Sequence, residues 1–595
     1  MNLNPQQQEA VNTINGALLI TAAPGSGKTR VVTERIKNIL RQGYSPHDIV
    51  AVTFTNSAAH EMEERLKADI EENVVRNLTI CTFHRLAMKI IREFGYLIGR
   101  DPDFCIYDSS DQLDVIRAIM KDLGMKKPSA ENVLKNKHLP KYKVLFGEYH
   151  DRLRAANAFD FDMLIESALY LLEERQEVRE KMQYKCRFIS VDEFQDINEE
   201  QYRMTRILSG KWGNVCAVGD CDQNVFSFAG SDVRFMIRFR EDFENVKAVA
   251  IATTYRCPAN VLASAAKLVK NNPNRLDTEP TSIHADGTLQ YLVFDNDFEE
   301  AAWITRKCES LIGNGSNPSD IAILGRSHRV IDTISQVMRN GGLDVNVCGR
   351  TRSLMEETAA KDLHAHLRML ANPHDRFSFR RTMKINGQVP FRNTVAIEAL
   401  SRAADINLID ATRQYLISKD LDSDYVDKIE GLKSLTFGGI IENIVSDLRI
   451  IYEKQHLLTR CRDLTALQLV IGNMVSRDSM ITVEDYLEDV AELSAAYDAI
   501  EGEEETPGVN LMTVHTAKGL EWPIVFVPAL ESGSFPVGSN PDPDALEEER
   551  RLFYVALTRA KSCAFITRAR VRNIWGRDRD SEESPFIKEA GLERL

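Results

Sequence analysis

A strand, a glycine turn and a helix follow one another near the start of this chain, and that succession constrains its folding more than any other feature. Residues 17–20 form an apolar, β-like run. Ala22-Ala23-Pro24-Gly25-Ser26-Gly27-Lys28-Thr29 comes next, and Val32, Ile36, Ile39 and Leu40 then mark one face of a helix. In this context the backbone N–H groups around Gly25, Ser26 and Gly27 are expected to cradle phosphates at the positive end of the helix. Lys28 is expected to reach the β- and γ-phosphates, and Thr29 to hold Mg²⁺. Ala22 stands where the usual pattern has its first glycine.

At 595 residues the chain is too long for one core; a prior of about 150 residues per domain gives about four. Hydrophobic residues make up 43% and charged ones 27%, which fits a soluble globular protein rather than a disordered one. No apolar run approaches the ~20 residues of a membrane span, and the N-terminus has neither the basic start nor the apolar stretch of a secretory signal. Ten cysteines are scattered without a Cys-x-x-Cys pair, which argues against zinc or a disulfide framework and fits a reducing cytosol. The formal charge of −14 opposes a generally basic nucleic-acid footprint, although a locally basic groove is compatible with an acidic shell. The acidic clusters at 503–505 and 542–549 read as solvated loop.

Three further segments suit triphosphate chemistry. Residues 188–191 are β-like and run into Asp192-Glu193-Phe194-Gln195-Asp196. Neighbours on a strand face opposite ways, so at its end one acid can turn to a metal and the other to water. Asp192 is read as the Mg²⁺-side acid and Glu193 as the base or water-orienting group. A second strand, 215–218, runs into Gly219-Asp220-Cys221-Asp222-Gln223, where the neutral amide of Gln223 suits a sensor of the γ-phosphate. Arg256 and Arg559 are candidates for stabilising transferred charge from across a cleft.

These segments, in this order, resemble the UvrD/Rep/PcrA family of superfamily 1 DNA helicases over nearly the whole chain. Gln7-Gln8-Glu9-Ala10-Val11 is similar to the opening glutamine motif. Val52-Thr53-Phe54-Thr55-Asn56, Thr82-Phe83-His84 and residues 108–113 follow in family order, as do Tyr255-Arg256, residues 322–327, residues 511–521 and residues 549–560. The resemblance implies ATP and Mg²⁺ as cofactors, adenine contact by Gln7, and an adenine sandwiched between Arg30 and Tyr255. It also implies Glu521 near the sugar and phosphates, with Arg256 and Arg559 on the γ-phosphate. It implies two RecA-like α/β lobes with parallel sheets, each carrying a mainly helical insertion. The boundaries expected are 1–86 with 186–262 for the first lobe, 87–185 for its insertion, 263–375 with 507–595 for the second lobe, and 376–506 for its insertion. Strands are expected at 290–294, 321–324, 510–513, 524–527 and 564–567, and helices at 112–123 and 142–154.

A motor on single-stranded DNA needs flat faces for bases, and stacking of ~1–3 kcal/mol per base tolerates any sequence. Phe54, Phe226 and Phe228 are read as those faces; the family usually carries Tyr and Trp at the last two positions. Thr55, Asn56 and His84 are read as strand contacts and His515 as a link between strand and nucleotide. Expected partners are single-stranded DNA, single/double-strand junctions and a protein such as a nuclease or a repair or replication factor; no membrane is expected. The family implies 3′ to 5′ travel.

Departures from the family are Ser57 for a lysine, Ala229 for an arginine, a shorter second insertion in which residues 386–390 only loosely resemble the duplex-binding glycine hairpin, and no long tail after 584–587. Besides a helicase, the chain reads as a translocase that strips proteins from DNA or as a motor subunit that needs a partner. A nuclease fusion and a P-loop ATPase unrelated to nucleic acid fit less well.

Overall fold

The computed structural model describes residues 3–227, 230–276, 278–348, 357–386, 393–421, 423–477, 481–495, 508–538, 541–574 and 577–594. The chain forms two compact units. One comprises Met1–Phe83, Leu172–Arg350 and Asp498–Leu595, the other His84–Leu171 and Thr351–Tyr497.

The first unit holds two large, mainly parallel sheets. Six strands run in the order Thr79–Thr82, Ile49–Thr53, Phe188–Val191, Val215–Gly219, Leu18–Ala22, Lys247–Ile251. The central strands are buried throughout, as expected of parallel strands covered on both faces. Because all run parallel, the three turns after Ala22, Val191 and Gly219 leave the same edge of the sheet, the edge at which open α/β sheets bind ligands.

The second sheet has Thr288–Asn296, Ala560–Ile574, Trp522–Val527, Ile321–Gly325, Val509–Thr513 and Val345–Val347 in parallel order, with Arg577–Asp580 antiparallel on Ala560–Ile574. All five strands expected here are present; four differ by at most two residues at either end, and the one expected at 564–567 runs over Ala560–Ile574. Leu324, Met512, Val525, Phe553 and Val555 form its core together with Val261, Ala265 and Leu268 of the helix Ala259–Val269. Under the sheet, Arg572 is buried between Glu300 and Glu531, whose remaining lone pairs take Thr567 Oγ1 and the N–H groups of Ala529 and Ala569. Such a buried trio is tolerable only with every partner in place.

The second unit is helical, with one two-stranded parallel ribbon, Cys105–Ile106 on Ala158–Phe159. The two expected helices are Ser109–Asp122 and Lys143–Ala155. Segments far apart in sequence interlock here. Asn372 Nδ2 donates to the carbonyls of Ala156 at 2.9 Å and Asn157 at 3.1 Å, Tyr107 Oη donates to Asp375, and Arg368 pairs with Asp111 at 2.7 Å.

One expectation is overturned. The acidic run 542–549 is not loop: Asp542 caps the helix Pro543–Leu557 by accepting from Ala545 N at 2.9 Å, and Glu547 and Glu549 are buried. Proline at the first turn and acids near the positive helix end favour that start. The acids at 503–505, residues 387–390, Phe228 and Ala229 lie outside the described residues. Among the described residues no helix is long and apolar enough to cross a membrane.

Candidate functional site

The site lies in the first unit and begins at the phosphate-type turn. Ala22 ends the strand, and the helix starts at Lys28 with Gly27 as its cap at φ +82°. Gly25, at φ +67°, lies so close to Arg256 that any side chain there would collide with the arginine's Cβ, and its carbonyl accepts from Tyr255 N at 2.9 Å. Thr254 Oγ1 donates to the Pro24 carbonyl. The Tyr255-Arg256 segment is thus built against the turn. Ser26 Oγ is fully enclosed and has no hydrogen-bond partner among the described residues.

Gln7 is buried beside the same turn. Its Oε1 accepts from Asn4 N at 2.9 Å, closing a capping box, and its Nε2 donates to the Ser26 carbonyl at 2.8 Å. Asn4 Nδ2 also donates to Tyr255 Oη at 3.1 Å, so the N-terminal helix, Tyr255 and the turn form one assembly. Arg30 stands in the first turn of the helix that Lys28 opens.

Asp192 and Glu193 follow the Phe188–Val191 strand as read. Thr29 Oγ1 lies 3.4 Å from Asp192 Oδ2, and Lys28 Nζ lies 3.5 Å from Glu193 Oε2. Glu193 takes φ +50°, a left-handed conformation uncommon for a non-glycine residue. The strand therefore stops abruptly, and the two neighbouring acids face different partners. Burial pushes Asp192 up, and the adjacent Glu193 carboxylate adds to this. Burial acts on Glu193 as well, but Lys28, Lys518 and the Gln195 amide outweigh it and hold Glu193 ionised.

A hydrogen-bonded chain crosses from these acids to the third turn. Gln195 Nε2 donates to Glu193 at 2.6 Å and to Asp196 at 3.0 Å, while its Oε1 accepts from Asp220 N at 3.0 Å. Gln223 Nε2 donates to Asp220 Oδ2 at 2.8 Å. The second-sheet half of the unit meets this chain at several points. Lys518 Nζ donates to Asp196 and, at 2.8 Å, to the Gln223 carbonyl. Arg559 Nη2 lies 3.5 Å from Gln223 Oε1, with its other nitrogens on the carbonyls of Val555 and Leu520. Burial, then the neighbouring Arg256, lower Arg559 to about 10, so it stays a cation at neutral pH. Glu521 is paired with Arg256 and, at 2.9 Å, with Lys561. Lys28, Glu193, Gln223, Arg256 and Arg559 are therefore brought together in one cluster. Lys518, Gln195 and the buried Arg275–Asp222 pair at 2.8 Å join them. Lys518, Gln195 and Asp222 lie within the motifs and Arg275 outside them, but nothing in local sequence pairs Lys518 with Asp196 or Arg275 with Asp222.

The strand-contact candidates divide. Phe54, 38% exposed, stacks on Phe226 with ring centroids 5.0 Å apart and planes 15° apart, and Lys518 Nζ sits 4.6 Å from the Phe226 centroid. Thr55 caps the helix Asn56–Lys67, accepting from Ala58 N at 3.2 Å, and Asn56 opens that helix. His515 lies beside Lys518 in the loop after Val509–Thr513; burial, with Arg326 and Lys518 nearby, lowers it to about 4, so it is neutral. His84 belongs to the other unit, where it packs edge-on against Phe161 at 5.2 Å and is lowered to about 4 by burial.

Comparison with known proteins agrees with this geometry. The UvrD/REP helicase N-terminal domain matches residues 3–139 and 124–244, and the UvrD-like helicase C-terminal domain matches residues 249–570. The ATP-dependent DNA helicase PcrA of Bacillus subtilis is 32% identical, aligned over 99% of this chain and 85% of its own length. PcrA of Staphylococcus epidermidis is 30% identical and that of Staphylococcus aureus 29%, each over 99% of this chain and 86% of the relative. The chain belongs to the UvrD-like helicase family.

Proposed function

We propose that this chain is an ATP-dependent DNA helicase of the UvrD/Rep type, which moves 3′ to 5′ along single-stranded DNA and separates duplex at a junction. The observation that carries the reading is the convergence of Lys28 and Glu193 from one sheet with Arg559 and Lys518 from the other on the Gln223 turn. Family membership and the PcrA relatives support ATP and DNA as its substrates.

In this reading Lys28 binds the β- and γ-phosphates, and Ser26 Oγ, enclosed and without a partner, fits a phosphate oxygen. Glu193 stays ionised and orients the attacking water. Arg256 and Arg559 take the charge that develops on the transferred group, and Gln223 reports the γ-phosphate to the loop that carries Phe226. Gln7, Arg30 and Tyr255 flank the base, and Glu521 lies towards the sugar. The donor set also fits magnesium. Thr29 Oγ1 and an Asp192 carboxylate stand 3.4 Å apart, and Mg²⁺ takes few protein oxygens beside water and phosphate. Bound there, the ion neutralises phosphate charge. Phe54, Phe226 and Phe228 stack bases, and Thr55, Asn56 and His515 line the strand path. A nuclease or a repair or replication factor is the expected protein partner.

Steady-state ATPase with and without oligothymidylate tests the proposal. Strong stimulation by the oligonucleotide is expected; turnover indifferent to it would defeat the DNA-motor reading.

A further inference from the structure

The helix Pro543–Leu557 presents three consecutive glutamates to three different sets of partners. Glu547 takes Arg551 at 2.8 Å and Asn274 Nδ2 at 3.0 Å, while Glu549 takes Arg326 at 2.9 and 2.7 Å and Val537 N at 3.2 Å. Both are buried and fully used inside the second-sheet half of the unit. Glu548 is half-buried and reaches the loop that leaves the Val215–Gly219 strand of the other sheet. It accepts from Ser227 N at 3.2 Å and also from Ser227 Oγ.

A carboxylate is an unexpected group beside the proposed path of a polyanion. Its geometry accounts for it: two oxygens on one residue fix both the backbone and the χ1 of Ser227. Val225, two residues earlier, is fully buried in the second-sheet core, and Lys518 and Arg559 hold Gln223. The loop therefore starts on the first sheet and is fastened to the second at 223, 225 and 227. Phe226 lies between the last two fastenings. Phe54, its stacking partner, follows the first-sheet strand Ile49–Thr53.

We propose that Glu548 is a positioning residue for single-strand binding, which fixes through Ser227 the face that Phe226 presents opposite Phe54. The inference rests on the reading of Phe226 as a base-stacking residue. Glu548 bonds Ser227 and not a group of the phosphate site, so its loss acts on strand affinity and leaves the chemistry intact.

The test uses the full chain and labelled oligothymidylate, read by fluorescence anisotropy and by ATPase stimulation. Glu548→Ala is expected to raise the oligonucleotide concentration for half-maximal stimulation about fivefold, the size expected from losing one typical net hydrogen bond at an exposed position. Basal turnover, turnover at saturating oligonucleotide and the melting temperature are expected to stay unchanged. Glu548→Gln, which keeps an acceptor oxygen, is expected to restore most of the affinity, and Ser227→Ala to lose about half as much on a logarithmic scale as Glu548→Ala. Tighter binding by both Glu548 variants would overturn the inference, since the carboxylate would then only repel phosphate. Unchanged affinity in Glu548→Ala, or an equal fall in basal turnover, would also overturn it. If the unaltered chain neither bound nor responded to the oligonucleotide, the motor reading itself would fall, and this inference with it.

Discussion

Lys518 donates to the main-chain carbonyl of Gln223 at 2.8 Å, although the lysine lies after a strand of the second sheet and the glutamine after a strand of the first. The same ammonium holds Asp196, three residues from Glu193, and lies over the Phe226 ring. One cation thus touches the loop that follows Glu193, the Gln223 turn and the Phe226 ring. Lys518→Met is expected to keep nucleotide binding and to lower oligothymidylate-stimulated turnover at least about tenfold, the value of one charge-assisted hydrogen-bond set. Nucleotide titration beside stimulated ATPase checks this.

Glu193→Gln keeps the shape of the side chain and removes its basicity. Nucleotide affinity should hold while turnover falls about a hundredfold or more, the usual contribution of a positioned base. Arg559→Ala should lower turnover by about a thousandfold with little change in KM for ATP, because its charge is needed chiefly in the transition state. Single-turnover measurements separate these effects from product release.

The Arg275–Asp222 pair is buried on both sides and bidentate, at 3.2 and 2.8 Å. Removing one partner leaves a buried charge. Arg275→Met should therefore cost about 3–5 kcal/mol in urea unfolding, and Arg275→Met with Asp222→Leu should cost less than the single change.

His364 gives a pH prediction. It is buried against Tyr486 Oη at 3.0 Å, and burial, then Arg368, lower it to about 3 from an ordinary 6.5. A depressed histidine binds its proton more readily in the unfolded chain, so stability is lost as pH falls from 6.5 towards 3. The loss is at most about 1.4 kcal/mol per pH unit. His364→Gln should flatten the fall of the thermal midpoint between pH 6.5 and pH 4, measured by calorimetry.

Much of the frame was legible in sequence because it is local. The phosphate-type turn needs only a strand, glycines and a helix in succession, and the second-sheet strands at 321–324 and 510–513 differ from the observed Ile321–Gly325 and Val509–Thr513 by one residue. What escaped depends on distant partners. Glu547 and Glu549 looked like solvated acids because Asn274 and Arg326 lie more than 200 residues away. Lys518 was invisible as a site residue for the same reason, and Arg275 because its partner Asp222 lies on another element. Period alone marks a helix at 112–123, observed as Ser109–Asp122, but not that its Asp111 meets Arg368 within one compact unit. Phe54 and Phe226 were legible as flat faces, and their stacking on each other was not.

Strand separation on two partial duplexes, identical except for a 3′ or a 5′ single-stranded overhang, tests the central claim most directly. With Mg²⁺ and ATP the account predicts separation from the 3′ overhang, lost in Lys28→Ala and Arg559→Ala. Separation only from the 5′ overhang, or full activity in Arg559→Ala, would contradict it.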